Sequence, residues 1–159
     1  KGGSNLRYFV VTTFFVLTLS ILVWLTLDFE SNKHSNDLDC HNANETISKS
    51  HQQYLSNYGW NIKTKRSTCK KVVDYYPEFI NTLKSGGLNL EPYNRTGKEA
   101  VITTYTLKEK QRNGDKLSAT IYEIDGKLVG GHGELENWVP GIFSLDDKKR
   151  LIEHGILSK

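Results

Sequence analysis

His132, Glu134 and Glu136 combine a proton carrier with two carboxylates at alternating positions. The i, i+2, i+4 spacing puts all three on one face of an extended strand. A histidine beside two carboxylates can move protons or hold a metal ion. No third element of the sequence converges on them, and polar loops commonly carry such residues without chemistry. The preceding run Gly130-Gly131-His132-Gly133 lacks both the G-x-G-x-x-G spacing and the following helix of a phosphate loop. Glycines in a tight connection or a bulge account for it better. A second group of ligating types, His34, Asp37, Asp39, Cys40 and His41, has neither C-x-x-C nor H-x-x-x-H spacing. There is no G-x-S-x-G elbow, and neither cysteine carries the local signature of a nucleophile. No cofactor or metal is expected.

Two further sets suit binding rather than catalysis. Trp60, Tyr75, Tyr76 and Trp138 could form an aromatic platform for a glycan or peptide, or fill a small core. Lys63, Lys65, Arg66, Lys70 and Lys71 fall within nine residues with no acid among them. Such a cluster suits anionic lipid or an envelope polymer; a solvated strand face and turn is the plainer reading.

The elements that must position these residues begin with Tyr8 to Leu27, twenty residues without a charge. A helix of that length spans roughly 30 Å, the thickness of a bilayer's hydrocarbon core. The apolar run is longer than that of a signal peptide, and no small-residue cleavage site follows Trp24. A permanent single-pass anchor is predicted. Lys1 and Arg7 precede it while Asp28 and Glu30 follow, which places the N-terminus in the cytoplasm and residues 28–159 outside. Those two bases account for most of the formal +3 charge, so the outer part balances 19 bases against 18 acids. Nothing there suggests nucleic acid.

Residues 28–45 lack apolar periodicity and read as a polar stalk. Outside the cell an even cysteine pair, Cys40 and Cys69, is expected to be bridged. Closing a loop of roughly 30 residues stabilises by about 3–4 kcal/mol in the chain-entropy model.

Residues 46–159 then read as one α+β domain in which helices pack on an antiparallel sheet. The pattern from Thr46 to Tyr58 is helical, with Gly59 placed to end it. Trp60 to Arg66 alternates as a strand with Trp60, Ile62 and Thr64 inward, and Val72-Val73 continue it after a turn at Ser67-Thr68. Pro77 opens a helix carrying Phe79, Ile80 and Leu83, and Gly86-Gly87 stop it. Ala100–Lys108, Leu117–Ile124 and Lys127–Gly131 form a three-stranded meander, with Asn113-Gly114 and Asp125-Gly126 at its junctions. Leu117, Ala119 and Ile121 share one face; Tyr122 and Ile124 turn to the other. Leu145–Glu153 reads as an amphipathic helix capped by Ser144.

The landmarks Tyr58-Gly59-Trp60, Pro77-x-Phe79, Leu88-x-Leu90-x-x-Tyr93-x-x-x-Gly97-Lys98, Thr104-Tyr105 and Gly126-Lys127-Leu128-Val129-Gly130-Gly131 resemble the family called domain of unknown function 4830. The resemblance covers about residues 54–143 and departs after Gly131, where the family has an acidic residue and this chain has His132-Gly133. It implies a small membrane-anchored or secreted protein of Gram-positive spore-forming bacteria, and brings no activity. The leading expectation is a non-enzymatic extracytoplasmic module that binds an envelope protein or polymer. The alternatives are an envelope hydrolase or metal-dependent enzyme using His132, Glu134 and Glu136, and a sensor or regulator linked to envelope stress or sporulation.

Overall fold

A computed structural model describes residues 39–42 and 46–158. The expected anchor and most of the stalk lie outside the described residues. Among the described residues no helix is long and apolar enough to cross a membrane.

Six strands form one antiparallel meander in chain order: β1 (Asp39–Asn42), β2 (Ile62–Val72), β3 (Glu99–Lys110), β4 (Lys116–Ile124), β5 (Lys127–Leu135) and β6 (Ile142–Phe143). Three helices accompany them: α1 (Lys49–Asn57), α2 (Pro77–Ser85) and α3 (Lys148–Glu153). The α+β class with an antiparallel sheet is as expected. The three-stranded meander forms its β3–β5 centre, and the Asp125-Gly126 turn has positive φ at both residues (51° and 72°).

Both faces of the sheet are covered, which is why β4 departs from simple alternation. Tyr105, Leu117, Ala119 and Ile121 face one side and pack with Leu55 of α1, Leu151 of α3 and Trp60. Ala100, Tyr122 and Ile124 face the other, against Ile80 and Leu83 of α2 together with Leu88 and Leu90. A strand buried on two sides reads as a continuous apolar run instead of an alternating one. On the first face His51 of α1 shares a 2.8 Å hydrogen bond between its Nδ1 and the Tyr105 hydroxyl.

Four details correct the reading of the sequence. Part of the stretch read as stalk is strand: Asp39–Asn42 pairs with Lys70–Ser67 along the edge of β2. Cys40 lies directly opposite Cys69 there, and the two are bonded. No turn interrupts β2 at Ser67-Thr68; the strand runs through, and Thr68 faces Thr103 with their hydroxyls 3.3 Å apart. Thr64 points outward, because an extra residue before it shifts the alternation by one. The C-terminal segment divides into a 3₁₀ turn, Leu145–Asp147, followed by α3. The Ser144 backbone N–H donates to the Asp147 carboxylate at its start.

The glycines of β5 are there for packing. A methyl group on Gly133 would run into the Phe143 ring, and one on Gly131 would sit 2.7 Å from the Thr120 carbonyl oxygen. Both positions need the absence of a side chain so that neighbouring strands and rings can close on β5.

Candidate functional site

The sheet is irregular at one end, and the irregularity gathers charge. The pairing of β2 with β3 passes from Ile62↔Leu107 to Thr64↔Thr106, then from Lys65↔Tyr105 to Ser67↔Thr104. Lys63 and Arg66 are therefore the extra residues of two β-bulges, which re-aim side chains out of the ladder. On the other edge of β3, pairing passes from Thr106↔Ser118 to Lys110↔Lys116, leaving two surplus residues in β3. A groove of about 390 Å³ opens where these ladders are interrupted. That volume falls within the range of small-ligand sites.

Four cations line the groove: Lys63 and Arg66 on the β2 bank, Lys110 and Lys116 on the bank formed by the β3–β4 hairpin. None of the four forms an ion pair among the described residues, whereas Lys70, Lys84, Arg95 and Lys98 each do. Thr64 and Thr106 face each other across β2 and β3 and contribute hydroxyls.

The two carboxylates of the groove are already engaged. Glu109 accepts from the Lys148 ammonium at 2.7 Å and from the Asn61 amide at 3.1 Å. Burial pushes its carboxyl up, but the Lys148 and Asn61 hydrogen bonds outweigh this and leave it below the usual carboxylate value. Lys148 is itself held by the Gly59 carbonyl and lies 4.7 Å over the Trp60 ring. Glu136 accepts the Lys116 backbone N–H at 2.9 Å. Lys148 balances the charge of Glu109, whereas Glu136, bonded to an uncharged backbone N–H, keeps its own, so the lining retains an excess of positive charge.

From the groove a polar strip continues across the same face of the sheet. The Thr104 and Thr120 hydroxyls lie 3.0 Å apart, and Thr120 donates to Glu134 at 3.3 Å. Glu134 also meets Nε2 of His132 at 3.0 Å. That bond, opposed by partial burial and aided by Arg66, holds the Glu134 carboxyl below its ordinary value.

The sequence candidates thus fall in different places. His132 and Glu134 are paired, but His132 is only 3 % exposed and its Nδ1 is buried without a partner. Glu136 shares their face of the sheet and is engaged at the groove. The arrangement orients Glu134 and offers the imidazole no open path to a substrate. Among the described residues no three His, Cys, Asp or Glu side chains converge as a metal set. Of the stalk group, Cys40 is taken by its disulfide; His34 and Asp37 lie outside the described residues.

The aromatic set also separates. Trp60 is core, 1 % exposed, and its indole N–H donates to the Leu145 carbonyl at 2.7 Å. Tyr75 is half-buried against Phe79, and Tyr76 is open to solvent at the start of α2. Trp138 stands exposed on the β5–β6 loop, at the opposite end of the sheet from Tyr76. The basic run divides three ways. Lys63 and Arg66 enter the groove, Lys70 approaches Glu99 at 3.9 Å, and Lys71 lies 4.6 Å over the Tyr75 ring. Lys65 opposes Tyr105 in the ladder and belongs to the other face.

Lys110 and Lys116 were not among the sequence candidates. The signal that could have found them is the Asn113-Gly114 turn, which folds one back beside the other. No protein-family model, curated protein or solved structure matches this chain.

Proposed function

We propose that this chain is a non-enzymatic binding module of the cell envelope. Its domain is held outside the membrane by the apolar segment Tyr8 to Leu27, and its ligand is received in the groove between β2 and the β3–β4 hairpin. One observation carries the reading: four cations that form no ion pair among the described residues line one groove, against two carboxylates of which one is already paired with Lys148. Solvated lysines on an ordinary strand face need no such concentration, and the bulges at Lys63 and Arg66 add two cations to one bank. Anchoring keeps the module at high effective concentration beside any ligand fixed in the same envelope. The resemblance to domain of unknown function 4830 supports the location and leaves the ligand open.

The test is photo-crosslinking in intact cells from p-benzoylphenylalanine placed at Thr64, an exposed groove position. The same probe at Asn89, exposed and remote from the groove, serves as control. A discrete adduct from Thr64, absent from Asn89 and lost in the Lys63→Gln/Arg66→Gln background, is expected. Equal adducts from both positions, or none from Thr64, would overturn the proposal.

A further inference from the structure

The binding reading above leaves the ligand's chemistry open, and the groove narrows it. We infer that the groove receives a phosphodiester-linked polyol chain: anionic phosphates alternating with short hydroxylated carbon units. The inference rests on the groove being the binding site and adds the class of ligand.

The charge argument comes first. Lys63 and Arg66 lie on one bank and Lys110 and Lys116 on the other, so cations face each other across the floor. A single carboxylate or sulfate needs one such pair; two pairs fit successive charges along a chain. Arg66 supplies a planar fork suited to phosphate oxygens, and the lysines supply compact charges without directional demand. Thr64 and Thr106 line the groove as well. Hydroxyl groups there can both donate to and accept from the hydroxyls of a polyol, which an all-cationic lining could not do.

What the groove lacks separates this ligand from its nearest rival. A single-stranded nucleic acid is also a phosphodiester chain with hydroxyls, and proteins that hold one stack its bases on aromatic rings. Among the described residues no aromatic side chain lines this groove. Trp138, the nearest exposed ring by sequence, stands on the β5–β6 loop outside the lining.

The same phosphate–polyol chemistry occurs in the headgroup of an anionic glycerophospholipid. A single headgroup presents one phosphodiester, whereas two pairs of cations suit successive phosphates along a chain, and the polymer and nanodisc arms below separate the two sources.

The experiment is calorimetric titration of the full chain in zwitterionic micelles. Four probes are compared at one ionic strength: poly(glycerol phosphate), inorganic phosphate, an oligothymidylate of matched charge, and nanodiscs containing phosphatidylglycerol. Poly(glycerol phosphate) should bind at least tenfold more tightly than each of the others. Lys63→Gln/Arg66→Gln and Lys110→Gln/Lys116→Gln should each weaken it by about tenfold or more. Thermal unfolding of both variants confirms that they fold. Oligothymidylate binding as tightly as the polymer, nanodiscs binding more tightly, or inorganic phosphate displacing it at equal concentration would overturn the inference. So would polymer binding that ignores both variants. A groove crosslink from Thr64 to a neutral glycan or a protein would sink the phosphate assignment and leave the binding module standing.

Discussion

Lys63 and Arg66 are three residues apart in one strand, each is the surplus residue of its own bulge, and both line the same groove. In an unbroken strand, residues three apart point to opposite faces. The two bulges bring both cations to the groove. Because neither takes part in a ladder pair or an ion pair among the described residues, their charges are not needed for folding. Lys63→Gln/Arg66→Gln should leave the unfolding midpoint within about 1–2 °C of the parent, as isolated surface changes do. Circular dichroism melts check this; a drop beyond ~5 °C would mean that the bulges are held by those charges.

The Cys40–Cys69 bridge joins residues 29 apart in sequence and clamps β1 to the edge of β2. Replacing both cysteines by serine should cost about 3–4 kcal/mol in urea unfolding under the chain-entropy model. A loss below ~1 kcal/mol would show that β1 contributes its pairing without help from the covalent link.

Gly133 lies against the Phe143 ring, where no methyl group fits. Gly133→Ala should destabilise by about 1–3 kcal/mol through overpacking, with Phe143 displaced. Combining it with Phe143→Leu should recover part of that loss. Additive losses in the double variant would indicate that the two residues do not share the space.

Glu134 has a lowered pKa in the folded chain, chiefly because of its hydrogen bond with His132. Its stabilising contribution is therefore complete above the ordinary carboxylate value of 4.5 and disappears as pH falls through the lowered folded value. Glu109, held by Lys148 and Asn61 against its burial, follows the same sign. Stability of Glu134→Gln, measured by urea unfolding from pH 6 to pH 3, should decline less steeply below pH 4.5 than that of the parent. Parallel profiles would mean that Glu134 binds its proton alike in the folded and unfolded chains.

Much of the fold was legible in the residues. Pro77, Gly59 and the Asp125-Gly126 turn mark element boundaries by local backbone chemistry, and they mark them where the structure has them. The Cys40–Cys69 pairing was expected from an even cysteine count in a chain read as extracytoplasmic, and the bond is present. The groove was not legible, and the reason is register. Alternation assigns a face only while a strand stays in step, and a bulge leaves no trace in residue types: Lys63 and Arg66 read as members of one exposed run with Lys65, Lys70 and Lys71. The extra residue at Lys63 also turned Thr64 from an expected inward position to an outward one. Trp60 was legible as an inward strand residue as well as a platform candidate, and it is core; its hydrogen bond to the Leu145 carbonyl, 85 residues on, was not legible.

The groove's role is tested most directly by amide chemical-shift mapping of the full chain in micelles as poly(glycerol phosphate) is added. Shifts concentrated at Lys63–Ser67, Thr106–Lys110 and Lys116 are expected, and they should vanish when Lys63, Arg66, Lys110 and Lys116 are all glutamine. Shifts centred on Tyr76 and α2, or a pattern unchanged by the four substitutions, would contradict the groove as the binding site.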